Sequence, residues 1–534
     1  MAPQQHPLPL PTSHAKDNPE LELPTYPPDL QPSGISTQPT IDTFENDSRA
    51  EALLATFDES QAKGAIHGTP VSSRSMLFQT IFVAIVCFPQ VLAEAHIGML
   101  LVPLVDIGIQ VGTQDEHQLS WFPASYGLTV GVFLIAAGRM GDIYGSKLLW
   151  VGGLALCAIA NLASGFCDTK IPFNICRALA GIGTAASLPN AIGVLGKTYG
   201  SAKARAVVFS IVGALAPTGF VVGGLIGGFF TEEANTRWIF WFTAILCLVI
   251  AIIGQFIIPA SPRVSSGYVD YVGAALLVLA LGLFNFSWNQ GPVVGWPVPY
   301  VYVLLIVSVG FAIAFVWWER RMGDERALIP SAVLSKNSLL TLLCLYMGWS
   351  SFGLYALYLV LFLRNIRGFE NTLVLAAQIS PSFPAGVIAA LFCPWAVRRF
   401  AGHKIFFVSM LSFCGGNLMA ALTPVDLTYW AVTFPSLLVI AAGPDLSYTT
   451  GQLIVTASVG AEYQGIAGGI VMMVVYYSQS IGLGMAATVE RYVSGGDQLK
   501  GYRAVFWFGT GLAGLAAVIV GLFVRMDKSA RLHE

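Results

Sequence analysis

The sequence predicts an all-α integral membrane protein with about 14 transmembrane helices. Three observations carry this expectation. Of 534 residues, 55% are hydrophobic. Only 11% are charged, less than half the share of about 25% in an average soluble protein, so a large water-facing surface could not be covered in the usual way. The apolar residues also fall in long runs, and about 20 apolar residues cross a bilayer. The net charge of −2 leaves no basic footprint for a nucleic acid partner.

Residues 1–75 are rich in Pro, Ser, Thr, Gln and acid. Such a segment buries too little apolar area to offset its ordering entropy, so it is expected to be a disordered cytosolic tail. No basic start with an apolar core stands near Met1, so no cleavable signal is expected. The first apolar run begins near Leu77. Candidate spans are 78–104, 119–138, 148–167, 172–196, 206–230, 238–259, 270–289, 298–318, 339–363, 372–397, 404–423, 427–448, 464–488 and 503–524. A twelve-span alternative discards 270–289 and 298–318, yet both are long and uncharged enough to stand. The weakest patterns are 427–448 and the two central spans.

An even number of spans puts both termini on one side, and the Lys/Arg bias of the loops decides which. With a cytosolic tail, the inner segments hold Arg139, Lys147, Lys197, Lys203, Arg205, Arg263, Arg320, Arg321, Arg326, Lys336, Arg398, Arg399, Lys404, Arg525, Lys528 and Arg531. The outer ones hold Lys170, Arg237, Arg364, Arg367, Arg491, Lys500 and Arg503. Both termini are therefore expected in the cytosol. All eight Cys lie in or beside spans without a CxxC pair, as small apolar residues, although Cys167 and Cys176 both fall near the outer face and could pair.

Soluble-enzyme patterns do not survive inspection. Gly196-Lys197-Thr198 resembles the end of a P-loop, but the leading Gly position is Ala191. Gly181-Ile-Gly-Thr-Ala-Ala lies inside a span, where small residues allow close packing. The sequons at Asn46 and Asn285 fall on the expected cytosolic side and within a span. No metal-spaced or nucleophilic cluster stands out, so no enzyme, metal or cofactor is expected.

The strongest local signal follows the second span: Gly138-Arg139-Met140-Gly141-Asp142-Ile143-Tyr144-Gly145-Ser146-Lys147. It reads as a short cytosolic loop in which Asp142 caps the next helix and pairs with a nearby base. It resembles the GxLaDrxGrk signature of the major facilitator superfamily, keeping Gly138, Asp142, Gly145 and Lys147 and departing at Ile143 and Ser146. Arg177-Ala-Leu-Ala-Gly181-Ile-Gly183-Thr-Ala185 is similar to the family's RxxxGxGxA motif, which implies that Arg177 steers protonation of the carrier. Snorkelling of Arg177 to the outer interface fits the pattern as well. The fifth span carries Gly213, Pro217, Gly219, Gly223, Gly224, Gly227 and Gly228, similar to the Gly/Pro-rich antiporter helix; glycines four apart let a facing helix approach. A generic packing helix has the same look.

Setting Pro103 on the Pro of the LDxTIVNVALP-like motif of fourteen-span drug:proton antiporters places Glu94 on its Asp and His96 on its Thr. Glu94 is a carboxyl in mid-span whose charged form is penalised by desolvation, which suits loading and releasing a proton near neutral pH. A structural Glu bonded to a neighbouring helix fits too. Asp445 is expected near the cytosolic end of the twelfth span. His96, Asn190, Tyr355, Gln378 and Gln479 are candidate cavity residues, with Trp349, Phe352, Tyr358, Tyr476 and Tyr477 as an aromatic set. Arg398-Arg399-Phe-Ala-Gly402-His403-Lys404 looks like a worn copy of the Asp142 loop.

The resemblance thus implies a major facilitator fold: two six-helix bundles, 76–260 and 337–525, two central helices and a loop in 261–336, and a cytosolic C-terminal tail 526–534. It implies proton-coupled efflux of small organic compounds by a monomer in the cell or vacuolar membrane, with substrate, protons and lipid as its partners. A proton symporter or uniporter for a nutrient or inorganic anion, and a non-transporting sensor, are the alternatives.

Overall fold

The computed structural model describes residue 71 and residues 75–199, 202–260, 269–324, 326–460 and 463–525. Both expected tails, apart from residues 71 and 75, lie outside the described residues, as do Arg263, Lys528, Arg531 and the side chains of Lys203 and Arg205. The described chain is helical. In the first half run α1 (Met76–Leu101), α2 (Leu104–Gln110), α3 (Glu116–Leu119), α4 (Trp121–Tyr144), α5 (Ser146–Ser164), α6 (Lys170–Thr198), α7 (Ala202–Glu233) and α8 (Arg237–Ile257). The central pair is α9 (Tyr271–Val294) and α10 (Pro299–Met322). The second half holds α11 (Lys336–Leu361) with a π turn at Phe362–Ile366, α12 (Thr372–Ile379), α13 (Ser382–Arg399), α14 (Gly402–Leu422), α15 (Thr433–Thr456), α16 (Gln464–Ser494) and α17 (Gln498–Phe523).

Thirteen of these units are long and apolar enough to cross a membrane, α12 and α13 counting as one across Pro381. The fourteenth is α15, whose middle and second half carry Asp445, Ser447, Tyr448, Thr449, Thr450 and Gln452. The sequence pattern at 427–448 is corrected here: the helix starts at Thr433 and continues to Thr456. Residues 423–432 instead form turns stabilised by contacts among Tyr429, Trp430 and Phe434. Helix α4 also outlasts its expected span, reaching Tyr144, because Gly141 fits against the Asn190 side chain and Gly138 against Pro189 without breaking the helix.

Each half repeats one packing pattern. In the first, α1 packs on α7, α4 and α5 on α6, and α5 on α8; in the second, α11 packs on α16, α13 and α14 on α15, and α14 on α17. The halves meet along two seams, α4 with α16 and α7 with α12 and α13. Helix α9 lies over the first seam, touching both α4 and α16. There Ser480 donates to the Ala124 carbonyl at 2.7 Å and lies 3.1 Å from Asn285 Oδ1, while Asn289 donates to the Ser480 carbonyl at 3.3 Å. Helix α10 packs mainly on α9 and buries only Val301 and Ser308.

The α1–α7 contact is close because glycines remove the Cβ atoms. A Cβ on Gly98 would collide with the Phe220 carbonyl, and one on Gly223 with that of Ala95. One on Gly227 would lie 3.0 Å from the Met99 carbonyl. Gly228 serves the seam, against Leu373 and Thr372. Gly213 is the exception among the expected packing glycines: nothing lies within 4 Å of its Cβ position, because it faces a cavity. All eight cysteines are free thiols, Cys167 and Cys176 with sulfurs 3.9 Å apart.

Overpacking a tight contact costs about 1–3 kcal/mol, whereas Gly to Ala within a helix gains about 0.5–1 kcal/mol. Gly223→Val is therefore expected to lower the thermal unfolding midpoint of the purified protein, and Gly213→Ala to leave it unchanged or raise it. Equal losses in both would sink the backbone-contact account.

Candidate functional site

Helices alternate in direction, so one end of the molecule carries the α1–α2 break and the π turn with Arg364, and the other carries Gly145 and Arg398. A cavity of about 570 Å³ lies between the halves. From the first half it takes Gln90 and Glu94 of α1 and Gly213, Pro217 and Phe220 of α7; from the second, aromatic and polar side chains of α11, α15 and α16. It runs to the exposed Pro394 and Arg398 on α13. Pro217 abuts the second half, where a Cβ on Gly386 would lie 2.8 Å from its ring and 3.0 Å from Asp445 Oδ2.

Glu94 stands on the cavity wall, and the Tyr476 hydroxyl donates to its Oε1 at 2.9 Å across the gap between halves. Gly219 packs against the same turn of α1, its Cβ position 3.0 Å from Glu94 Cβ. Asp445 lines the cavity from the opposite half and interacts electrostatically with Glu94. Its expected place near a helix end is corrected: with α15 spanning 433–456, Asp445 sits at mid-helix. Trp349, Phe352, Tyr355, Tyr448 and Tyr476 make the wall aromatic. Tyr358 and Tyr477 do not line it; Tyr477 donates instead to the Leu281 carbonyl of α9 at 3.0 Å.

Behind Glu94 lies a separate polar core. Arg177 is fully buried two turns into α6, which excludes snorkelling. Its guanidinium donates to Asn161 Oδ1 at 3.0 Å and lies 5.3 Å from the Tyr126 ring centroid. His96 joins the same Asn161 through Nε2 and contacts the Tyr126 ring. The cavity expectation for His96 is thus corrected, since its face of α1 turns into the first bundle. Asn190 is likewise withdrawn from the cavity: it donates to the Ala186 carbonyl at 2.8 Å beside Gly141. Gln378 is near the Arg364 end and outside the cavity, its carbonyl accepting from Tyr429. Tyr355 lines the cavity, and Gln479 lines a small recess adjoining Glu94. Gln90, Tyr448 and Gln452 were not singled out from sequence; Gln90 had a signal, one helical turn before Glu94 on the same face.

The gating motif is arranged differently from expectation. Asp142 is exposed on the last turn of α4 and does not cap α5, whose N-cap is Gly145 with no side-chain bond. Gly145 adopts φ +103°, a turn that glycine makes without steric cost. Lys147 lies in the first turn of α5, and Lys197 donates to Ser146 Oγ at 3.2 Å.

The Arg364 end is sealed by contacts between halves. Arg364 bonds Asp106 at 2.7 Å, and Thr372 Oγ1 donates to the other Asp106 oxygen at 3.0 Å. The Thr372 amide donates to Glu232. Glu116 accepts from Tyr502, Asn365 and Gln498 at 2.6, 2.9 and 3.0 Å. None of these bonds was visible in sequence, since partners lie far apart in the chain.

The family model described as Major Facilitator Superfamily matches residues 76–483. The chain is 38% identical over 521 residues to the low affinity ammonium transporter of Saccharomyces cerevisiae, covering 94% of this chain and 99% of that one. It is 32% identical over 502 residues to the efflux pump terJ of Aspergillus terreus, covering 91% and 95%. A mutant form of the nucleoside transporter NupG shares the fold with a TM-score of 0.59 at 12% identity, covering 83% of this chain and all of that one. The chain belongs to the Major Facilitator Superfamily and is a multi-pass membrane transporter, not an enzyme.

Proposed function

We propose that this transporter exports small organic compounds in exchange for protons by alternating access. The carrying observation is a cavity between the halves that is sealed at the Arg364 end, reaches exposed residues at the Arg398 end, and holds Glu94 on its wall. Glu94 is the proton site. A proton there changes the bond that Tyr476 of the second half makes to the carboxylate, so loading is felt by both halves. Arg177 acts from behind, through Asn161 and the α1 turn carrying His96. Asp142 with Gly138, Gly145 and Lys147 belongs to the Arg398 end, where the inner gate forms when the halves close. Gly219, Gly223, Gly224 and Gly227 form the packing face between α1 and α7, while Gly228 packs on α12 and Gly213 faces the cavity.

Arg139, Lys147, Lys197, Arg320, Arg321, Arg398, Arg399 and Lys404 lie at or near the Arg398 end, which favours a cytosolic position for it and for both termini. On this reading the structure is open to the cytosol, in a monomer of the cell membrane with bundles 76–260 and 337–525 around the central segment 261–336. The efflux pump relative supports export. A second reading, uptake of a small nutrient, is favoured by the ammonium transporter relative.

The test is transport into sealed vesicles against a compound panel with an imposed proton gradient. Wild type is expected to accumulate substrate only with the gradient, and Glu94→Gln to fall to the level without one. Coupled transport unchanged in Glu94→Gln would remove Glu94 from the mechanism; gradient-independent flux would remove antiport.

The sealed end gives a second expectation. Loss of the Arg364–Asp106 pair should weaken closure by about 1–2 kcal/mol, a population shift of about 5–30-fold. In Arg364→Ala, a cysteine placed at Ile379 on the cavity wall should react that much faster with an impermeant thiol reagent added outside. An unchanged rate would show that this pair does not hold the end closed.

A further inference from the structure

Beside Glu94 the cavity wall gives way to a recess of about 30 Å³, space for a water molecule or two. It lies on the Arg364 side of Glu94: Ile97 and Leu101 follow on successive turns of α1, and Pro123 of α4 and Leu483 of α16 wall it there. Its polar lining is Glu94 from the first half and Tyr476, Gln479 and Ser480 from one face of α16 in the second. The Tyr476 hydroxyl is committed to Glu94 Oε1 at 2.9 Å, and Ser480 Oγ to the Ala124 carbonyl at 2.7 Å. Two groups are left over. Glu94 Oε2 accepts nothing from a described residue, and Gln479, only 8% exposed, has no partner for its Nε2. We propose that a water molecule held between the Gln479 amide and Glu94 Oε2 carries the proton to and from Glu94.

The packing keeps the Gln479 amide at this place. A Cβ on Gly353 would lie 3.1 Å from the Gln479 Cα and carbonyl oxygen, and one on Gly127 3.3 Å from Ser480 Cβ. Helices α11 and α4 thus close on α16 at this turn. A buried amide is met by protein or by ordered water, and a buried water needs polar partners of its own. Here the amide donates to the water and the water donates to Oε2, so a second link between the halves runs beside the direct bond from Tyr476. A hydronium at this position gives its proton to Oε2, leaving a neutral water and a neutral carboxyl, and the reverse step returns it. Tyr476 holds Oε1, which leaves Oε2 as the oxygen to be protonated. The water sits on the side of Glu94 nearer the Arg364 end. A compound in the main cavity and a proton therefore approach the carboxylate from different sides.

This role rests on Glu94 being the proton site of the proposed function; the water itself is read out without transport. The full chain is reconstituted in lipid bilayers, and infrared difference spectra are recorded between acidic and alkaline buffer, in ordinary water and in heavy-oxygen water. Two signals are expected. One is a carboxyl C=O band that is absent from Glu94→Gln. The other is a water O–H band that moves in heavy-oxygen water. Gln479→Met keeps a long, adaptable side chain and removes the amide. In it the water band should vanish and the Glu94 band should shift in frequency, with the thermal unfolding midpoint as in the parent. No heavy-oxygen-sensitive band in the parent overturns the water site, whether or not the variant folds. Persistence of that band in folded Gln479→Met overturns it too. Either result with the Glu94 carboxyl band in place leaves the proposed function standing. A parent spectrum without that carboxyl band would instead remove Glu94 as the proton site, and the water's role with it.

Discussion

The backbone contact between α1 and α7 is the interaction on which the rest of the site depends. Without water in the hydrocarbon, helices gain little from hiding apolar side chains from one another, and close association rests on packing. Gly98, Gly219, Gly223 and Gly227 let the two backbones meet. That contact fixes the rotation of α1, which turns Glu94 and Gln90 toward the cavity and His96 into the first bundle. It also fixes α7, whose opposite face carries Pro217 and Gly228 to the second half.

Charge is then used sparingly and in three separate places. Glu94 and Asp445 face each other across the cavity from different halves. Arg177 is held in the first bundle by Asn161 and the Tyr126 ring, with no carboxylate among its described hydrogen bonds. The acids Asp106, Glu116 and Glu232 meet donors of the second half at the closed end. Two of these sets join elements of different halves, and the lipid-facing helices α8 and α10 carry charge only at their ends, Arg237 on α8 and Glu319, Arg320 and Arg321 on α10.

The spans were legible because a bilayer imposes length and apolarity on each helix. The repeated packing of the halves was legible through the worn copy of the Asp142 segment. Helix α15 was misjudged because its polar residues face the cavity and the protein interior, so a scan for apolar runs stops short of them. The motif at Gly138–Lys147 was read as loop because glycine and charge usually mark one; here Gly141 stays helical by making room for Asn190. Glu94 and Tyr355 were found because acids and aromatics in mid-span are conspicuous. His96, Asn190 and Gln378 were misassigned because a polar residue on a span does not reveal which face it occupies. The bonds of the closed end join residues more than a hundred positions apart, and no local pattern encodes them.

The two seams between the halves are unequal. One, between α7 and α12–α13, is overlaid by no long helix among the described residues. The other, between α4 and α16, is overlaid by α9, and Ser480, Asn285 and Asn289 tie three helices there into one hydrogen-bonded knot. The two halves are therefore joined unequally on their two flanks. The knotted side resembles the spine of a book and the bare side its fore-edge. The added helix pair thus gives a pseudo-symmetric carrier a left and a right.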